Sequence, residues 1–270
     1  MDPTEMEPIE QAEAGPAPEP QPSREPPEQA WTYWDVAVVT GFAIGAQVLV
    51  YLGGVLALLL IGQLRGPSFD FTEAMTRVSF ILPAQLAWWA IVFWIVYRIV
   101  RARDSRPFRQ AIGWVRPAQP PGVYLAGGAV LALTVGGLTW LLPKTSHRMP
   151  MEHLFRDPAS AFLLAAFGVL IAPAVEELLF RGFLFPVIER ANGTRAAVLG
   201  TAALFSLLHA QQYGWNWQNL VVLSYVGVVF GVVRAISGSV VPSTLIHASY
   251  NLTLFAGLYA ASDRFRHFHF

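Results

Sequence analysis

The chain has 270 residues, of which 54% are apolar and 13% are charged, and its mean hydropathy is +0.44. In soluble globular domains roughly a quarter of the residues are charged, so this composition excludes an ordinary soluble domain and a disordered protein. The formal net charge is zero. Because the chain has no cysteine, a disulfide framework, a thiolate metal site and a cysteine nucleophile are excluded as well.

The first 30 residues differ from the rest of the chain. They contain eight acidic residues, eight prolines and one base, Arg24. They have too little apolar surface to offset the chain entropy lost on ordering, and they lack the basic start and apolar run of a signal peptide. We therefore predict a disordered acidic, proline-rich tail over residues 1–30. An integral membrane helical domain over residues 31–270 follows, with a net charge of +7.

Seven apolar runs predict an all-α, polytopic bundle of about seven transmembrane helices, since a spanning helix needs about 20 mostly apolar residues. The fourth run starts with Asp157 before Pro158, a capping residue followed by proline at the first helical position. Pro173 removes a backbone donor within this run, which predicts a kink, and Pro186 is a potential break. The runs are Asp35–Gly62, Phe80–Val100, Gly122–Leu142, Pro158 to at least Phe180, Thr194–His209, Trp217–Ile236 and Val241–Ala261.

The link between the second and third segments determines the predicted orientation. It contains five arginines and one acid, Asp104, and short loops rich in arginine lie in the cytoplasm. This places the N-terminus in the cytoplasm and the C-terminus outside. A weaker signal opposes this orientation, because Lys144, Arg148 and Arg156 fall in a loop placed outside. The five arginines are Arg101, Arg103, Arg106, Arg109 and Arg116.

Three segments carry ionisable or strongly polar side chains in their interiors. Such groups are costly inside a bilayer and are functional candidates by default. The fourth segment has Glu-Glu-x-x-x-Arg, the fifth has Phe-x-x-x-His and the seventh has His-x-x-x-Asn, so the two residues that are four positions apart in each motif share one helical face. The residues are Glu176, Glu177, Arg181, Phe205, His209, His247 and Asn251.

Helical spacing predicts different roles for the two adjacent carboxylates. Glu177 and Arg181 are four residues apart and can pair, whereas Glu176 is turned about 100° away. The spacing therefore predicts a structural ion pair at Glu177 and a reactive carboxylate at Glu176. Glu176 and His209 lie at similar distances from the predicted turn at residues 191–194, so two helical legs would hold them at one level.

Other polar and small residues have simpler interpretations. A single intramembrane histidine can be a satisfied hydrogen bond between helices. We expect the four histidines outside the motifs to be solvated, and the glycine pairs and Gly227-x-x-x-Gly231 to mark close helix packing. The histidines are His147, His153, His267 and His269, and the pairs are Gly53-Gly54, Gly127-Gly128 and Gly136-Gly137.

The three motifs, in this order on successive apolar helices, resemble the CPBP family. This family includes the CAAX prenyl endopeptidases related to the Ras-converting enzyme and the bacteriocin-immunity (Abi) proteins. The resemblance covers about residues 160 to 260, with Gly182 following the arginine as in the family. It predicts a catalytic core over residues 158–261.

The resemblance implies an intramembrane endopeptidase. It assigns catalytic roles to Glu176, His209, His247 and Asn251, and supporting roles to Glu177, Arg181 and Phe205. Peptide hydrolysis needs an activated water, for which a desolvated carboxylate is a suitable general base. In this scheme Glu176 takes the proton, His209 orients the water, and His247 with Asn251 donates to the oxyanion, where one donor contributes about 3 kcal/mol.

A metal-dependent version is the alternative mechanism. Glu176, His209 and His247 would then be three ligands of a divalent metal such as zinc, with water in the fourth position. The chain lacks the H-E-x-x-H signature of soluble zinc proteases. The sequence leaves the choice between the two mechanisms open.

Two other functions compete with proteolysis. Intramembrane Glu and His residues also form proton relays in transporters, although the two halves of the chain show no inverted repeat. A non-catalytic immunity-type membrane protein is the second alternative. The expected partners are the lipid bilayer and a membrane-associated peptide or protein substrate, with no nucleic acid. Arginine outnumbers lysine 17 to 1, which favours a GC-rich bacterium and hence its inner membrane; the oligomeric state is left open.

Overall fold

The structure is a computed structural model that describes residues 30–141 and 150–267. Within these residues the chain forms helices and no strand, which confirms the all-α prediction. The predicted tail lies outside the described residues except for Ala30, as do Lys144, His147, Arg148 and His269. The helices are α1 (Tyr33–Arg65), α2 (Phe71–Met75), α3 (Val78–Arg103), α4 (Phe108–Ala111), α5 (Pro121–Leu141), α6 (Pro158–Asn192), α7 (Thr194–His209), α8 (Trp217–Ser237) and α9 (Val240–Ala261).

Five of these helices, α1, α3, α5, α6 and α8, are long and apolar enough to cross a membrane. Together they make the chain an integral membrane protein. The other two predicted segments are also helices, at α7 and α9. Helix α7 has only 16 residues, and α9 carries the polar residues of the third motif, so the count of seven transmembrane helices is approximate.

Helix α6 is a long helix with two wide turns. Asp157 caps its start by accepting from the Ser160 backbone N–H at 3.0 Å. Two π-helical turns, Phe167–Ile171 and Leu178–Leu184, lie shortly before Pro173 and Pro186. A π turn accommodates an irregularity in the hydrogen-bond ladder, so the predicted disturbance at Pro173 takes this form and the chain continues as a helix past Pro186. Three of the site residues predicted from the sequence, Glu176, Glu177 and Arg181, lie on or just before the second of these turns.

The basic end of the bundle is held together by contacts from the first residues of the described chain. The Trp31 indole N–H donates to the Phe183 carbonyl at 2.7 Å, and the Arg190 guanidinium donates to the Trp31 carbonyl. Nearby, Arg103 pairs with the buried Asp35 at 3.0 Å. The start of α1, the end of α3 and the end of α6 therefore meet at one end of the bundle.

Close glycine packing occurs at some of the predicted positions and not at others. On α5, a Cβ added at Gly128 would lie 2.7 Å from the Ser249 Cβ and still closer to the Ile246 carbonyl oxygen. On α8, Gly227 and Gly231 pack closely against the backbone of α7. The prediction for Gly136 and Gly137 is wrong, since an added Cβ there has nothing within 4 Å among the described residues.

Substituting Gly128 by alanine is expected to reduce the yield of folded protein sharply, because the backbones of α5 and α9 must separate to admit a methyl group. Overpacking of this kind typically costs about 1–3 kcal/mol, occasionally more. Gly136→Ala on the same helix is the matched control and should leave the yield unchanged. The measurement is the monodisperse fraction on size-exclusion chromatography in detergent, and equal yields of the two variants would contradict the packing described here.

Candidate active site

A fully buried ion pair lies on α6 at the start of its second π-helical turn. Arg181 donates to Glu177 at 2.9 Å, and neither side chain is exposed to solvent. The pair has the spacing of four residues predicted from the sequence. Its charges are removed from water, so each side chain depends on the other for its stability in the fold.

The Arg181 guanidinium is enclosed by aromatic rings and a backbone oxygen. Its second amino group donates to the Gly227 carbonyl at 2.8 Å. Its central carbon lies over the rings of Phe180, Phe205 and Phe230, at 5.7, 5.3 and 5.3 Å from the ring centroids. Cation–π contacts of this kind gain strength where water is excluded. The enclosure therefore fixes Arg181 and, through it, the Glu177 carboxylate.

The two adjacent glutamates differ in accessibility. The Glu177 side chain is 0% exposed, whereas that of Glu176 is 17% exposed. Among the described residues Glu176 forms no hydrogen bond, and the one basic side chain with a nitrogen within 4.0 Å of its carboxylate is that of His247. Glu176 is thus the carboxylate of the two that a water molecule or a substrate can reach.

His247 on α9 lies between the two carboxylates. Its Nε2 is 3.8 Å from Oε2 of Glu176, and its Nδ1 is 3.4 Å from Oε1 of Glu177. Both distances are beyond a good hydrogen bond, and Nδ1 has no hydrogen-bond partner in the part of the chain that the structure describes. The histidine side chain is 5% exposed. Buried polar atoms without partners are uncommon, and Arg181 Nε and Glu177 Oε2 are two more in this cluster.

His209 lies at the end of α7 and is oriented by its own helix. Its Nδ1 donates to the Phe205 carbonyl at 2.7 Å, because a carbonyl oxygen can only accept. This leaves the neutral imidazole with Nε2 as an acceptor. Within the described residues His209 forms no ion pair with either glutamate; the structure places His247 beside Glu176 instead. The Phe205 ring contacts both histidines, with centroids 4.4 Å from His209 and 5.8 Å from His247.

Asn251 is used for helix packing in this structure. Its amide nitrogen donates to the Gly168 carbonyl at 2.7 Å, which ties α9 to the first π-helical turn of α6. The sequence placed Asn251 beside His247 as a second oxyanion donor. The structure directs one of its two donors to the backbone, which anchors α9 one turn after His247.

The three residues named for a metal do not form a metal-binding group. Among residues 30–141 and 150–267, no cluster of three or more His, Cys, Asp or Glu side chains is arranged to hold an ion. Glu176 and His247 are close to each other, whereas His209 does not complete a group of three ligands with them. The donor geometry of this structure therefore does not fit the ligand set Glu176, His209 and His247.

Two residues near the site were missed in the sequence. Phe230 on α8 stacks on His247, with ring centroids 4.6 Å apart; its signal was its place inside Gly227-x-x-x-Gly231. Tyr213 follows α7 and packs against the cluster formed by Phe180, Phe205 and Leu223. Burial, and then the negative charge of Glu176, raise the pKa of the Tyr213 phenol. Its position in a connecting loop gave no signal in the sequence.

Of the histidines predicted to be solvated, His153 and His267 are exposed.

A buried arginine–glutamate pair beside an accessible glutamate and a histidine, on apolar helices, defines a membrane-embedded site with the groups needed for hydrolysis. Residues 158–253 match the family model of the type II CAAX prenyl endopeptidase Rce1-like proteins. This match to an Rce1-like domain confirms the resemblance drawn from the three motifs. The match includes every residue of the site. No curated protein and no solved structure gives a significant match.

Proposed function

We propose that the protein is an intramembrane endopeptidase that hydrolyses a peptide bond of a membrane-associated substrate, with Glu176 as general base. One observation carries this proposal: Glu176 is accessible and unpaired beside His247, while the adjacent Glu177 is buried and neutralised by Arg181. A general base must reach a water proton, and only Glu176 of the two glutamates can do so. The Rce1-like match over the same residues supports the same reaction.

In the proposed reaction a water molecule attacks the carbonyl carbon of the scissile peptide bond. Glu176 takes a proton from the water as the new C–O bond forms, and it returns that proton to the leaving amine as the C–N bond breaks. His247 Nε2 and Glu176 Oε2 are 3.8 Å apart, so one reacting group that lies to the side of both atoms can be within hydrogen-bond distance of each. His247 then donates to the oxyanion of the tetrahedral intermediate.

The remaining side chains hold this geometry. Glu177 faces Nδ1 of His247 at 3.4 Å and keeps the ring oriented with Nε2 towards Glu176. His209, with Nε2 as an acceptor, is the group proposed to orient the water. Asn251 keeps α9 against α6 and has a second amide hydrogen for the substrate.

We propose the metal-free version of this mechanism, since the three expected ligands are not gathered. The purified protein is expected to keep its activity after treatment with EDTA and 1,10-phenanthroline, and to contain substoichiometric zinc by mass spectrometry. A loss of activity that zinc restores, while the chelated protein keeps its thermal unfolding temperature, would contradict this version and support the metal-dependent one.

The proposed location is the inner membrane of a bacterium, with the basic end of the bundle in the cytoplasm. The contacts of Trp31, Arg103 and Arg190 at that end support a common side for the N-terminus and the two basic links. The proposed substrate is a membrane-associated peptide or protein.

The proposal is tested by comparing the termini of membrane proteins in cells that lack this protein. The cells are complemented with wild type, Glu176→Gln or Glu189→Gln at matched expression, and the termini are identified by mass spectrometry. Glu189 lies on the same helix outside the site, where it accepts from Thr194, so it is the matched control. We expect new termini with wild type and Glu189→Gln and none with Glu176→Gln.

Two other results would contradict the proposed protease function or the role of Glu176 in it. If Glu176→Gln produces the same termini as wild type, Glu176 is not the base. If folded wild type produces no new termini, proteolysis is contradicted. A proton-coupled substrate flux in vesicles would then support the transporter, and a phenotype that survives Glu176→Gln would support a non-catalytic immunity-type protein.

A further inference from the structure

Helix α8 carries none of the residues that the sequence assigned to the site, yet one of its faces contacts the site twice. The Gly227 carbonyl accepts from Arg181 at 2.8 Å. Phe230 lies three residues further along and therefore on the same face, and its side chain is 0% exposed. The glycine motif Gly227-x-x-x-Gly231, which packs α8 against α7, therefore also brings two residues of α8 into contact with Arg181.

We propose that Phe230 is a positioning residue that holds the His247 imidazole between Glu176 and Glu177. This inference rests on the proposed function, because it assigns a purpose to the orientation of His247. Phe230 touches neither water nor substrate in the proposed reaction. It acts through the two side chains that it contacts, His247 and Arg181.

The contacts of the Phe230 ring are specific to an aromatic side chain. Its centroid lies 4.6 Å from that of His247 with an angle of 28° between the planes, and the Arg181 guanidinium carbon lies 5.3 Å from it. The face of a phenyl ring is electron-rich and attracts a guanidinium, and it stacks on an imidazole. A leucine side chain offers neither interaction, although it would fill part of the volume.

The ring itself is fixed by the close approach of α8 and α7. A Cβ added at Gly227 would lie 2.9 Å from the Ala202 Cα, and one added at Gly231 would lie 3.2 Å from the Val198 Cα. These small residues let the two backbones pack closely, on either side of Phe230 along the helix. Phe230 also packs edge-on against Phe205 at 6.3 Å between centroids, so its ring cannot move without displacing a second site residue.

Small rotations of His247 matter because its two nitrogens face different carboxylates. Nε2 faces Glu176 at 3.8 Å and Nδ1 faces Glu177 at 3.4 Å, so tilting the ring weakens both contacts together. A misplacement of about 1 Å in a reacting group can lower a rate by about 100-fold. Loss of the stacked ring should therefore lower kcat and leave KM nearly unchanged.

The test compares Phe230→Leu with Phe230→Tyr and a matched control, Phe185→Leu. Phe185 on α6 is also 0% exposed, but it packs in a separate cluster with Ala197 and Val198 and has Arg234 over its ring. We expect Phe230→Leu to lower kcat by about 10–100-fold. Phe230→Tyr should recover most of that loss, and Phe185→Leu should lose a similar amount of thermal stability while keeping kcat.

A second readout does not depend on activity. Diethyl pyrocarbonate modifies accessible imidazoles, and mass spectrometry measures the modified fraction of the His247 peptide in detergent-solubilised protein. We expect faster modification in Phe230→Leu than in wild type and Phe185→Leu, with the exposed His267 as internal reference. If wild type shows no Glu176-dependent cleavage, the proposed function fails while this labelling still tests the positioning. Equal labelling of Phe230→Leu and Phe185→Leu, or equal effects on kcat, would overturn the proposal.

Discussion

Replacing Glu176 by glutamine is expected to abolish cleavage while the protein remains folded. Glutamine keeps the shape of the side chain but cannot accept a proton from water. Loss of a positioned general base typically lowers a rate by about 10²–10⁴-fold. Because Glu176 is 17% exposed and forms no hydrogen bond among the described residues, its replacement leaves no buried partner unsatisfied.

The neighbouring variant provides the contrast. Glu177→Gln removes the negative charge that neutralises Arg181 and is expected to reduce the amount of folded protein. The measurement combines kcat on a substrate found in the termini comparison with the thermal unfolding temperature in detergent. If Glu176→Gln lost the fold and Glu177→Gln kept both fold and activity, the roles assigned to the two glutamates would be reversed.

The second large effect is expected from replacing Arg181 by alanine. The substitution leaves Glu177 as a buried unpaired charge and empties the space between three aromatic rings. Removal of one partner from a buried ion pair costs about 3–5 kcal/mol. Since the stability of a whole domain is only about 5–15 kcal/mol, we expect most of the protein to be lost from the membrane fraction or recovered as aggregate.

The chain contains a matched control for this substitution. Glu73 and Arg77 have the same order and the same spacing of four residues, and their side chains are 46% and 58% exposed. Exposed pairs of this kind contribute about 0.3–0.5 kcal/mol, so Arg77→Ala should change the folded yield little. The double variant Glu177→Gln with Arg181→Met should recover part of the yield lost in Arg181→Ala, because it removes both charges. Equal yields of Arg77→Ala and Arg181→Ala would contradict the burial of the Arg181 pair.

Some features of the site depended on spacing along one helix, and these could be read from the sequence. The pairing of Glu177 with Arg181 follows from their separation of four residues on α6, and the same geometry turns Glu176 away from Arg181. The sequence also predicted the turn between α6 and α7 at residues 191–194, where Gly193 adopts φ of 83°, a conformation that favours glycine. These are local properties, set by helical geometry and backbone sterics.

Other features depend on which helices are neighbours, and spacing within a helix carries no information about that. The sequence paired Glu176 with His209, but the register of α9 against α6 brings His247 to it instead. The same register directs Asn251 to the Gly168 carbonyl. The π-helical turns contribute, because each adds a residue to a turn and rotates the side chains that follow.

The sequence by itself therefore determined that this chain is a helical membrane protein with a polar site on three apolar helices and the motifs of a CAAX-type protease. Hydropathy, helical periodicity and residue chemistry were sufficient for that, since all three act over short stretches of chain. Only the tertiary structure decided which histidine faces Glu176, that a packing helix places Phe230 against the site, and which glycines touch another helix. Those outcomes depend on the close approach of side chains distant in sequence, where shifts of a few tenths of an ångström decide which atoms meet.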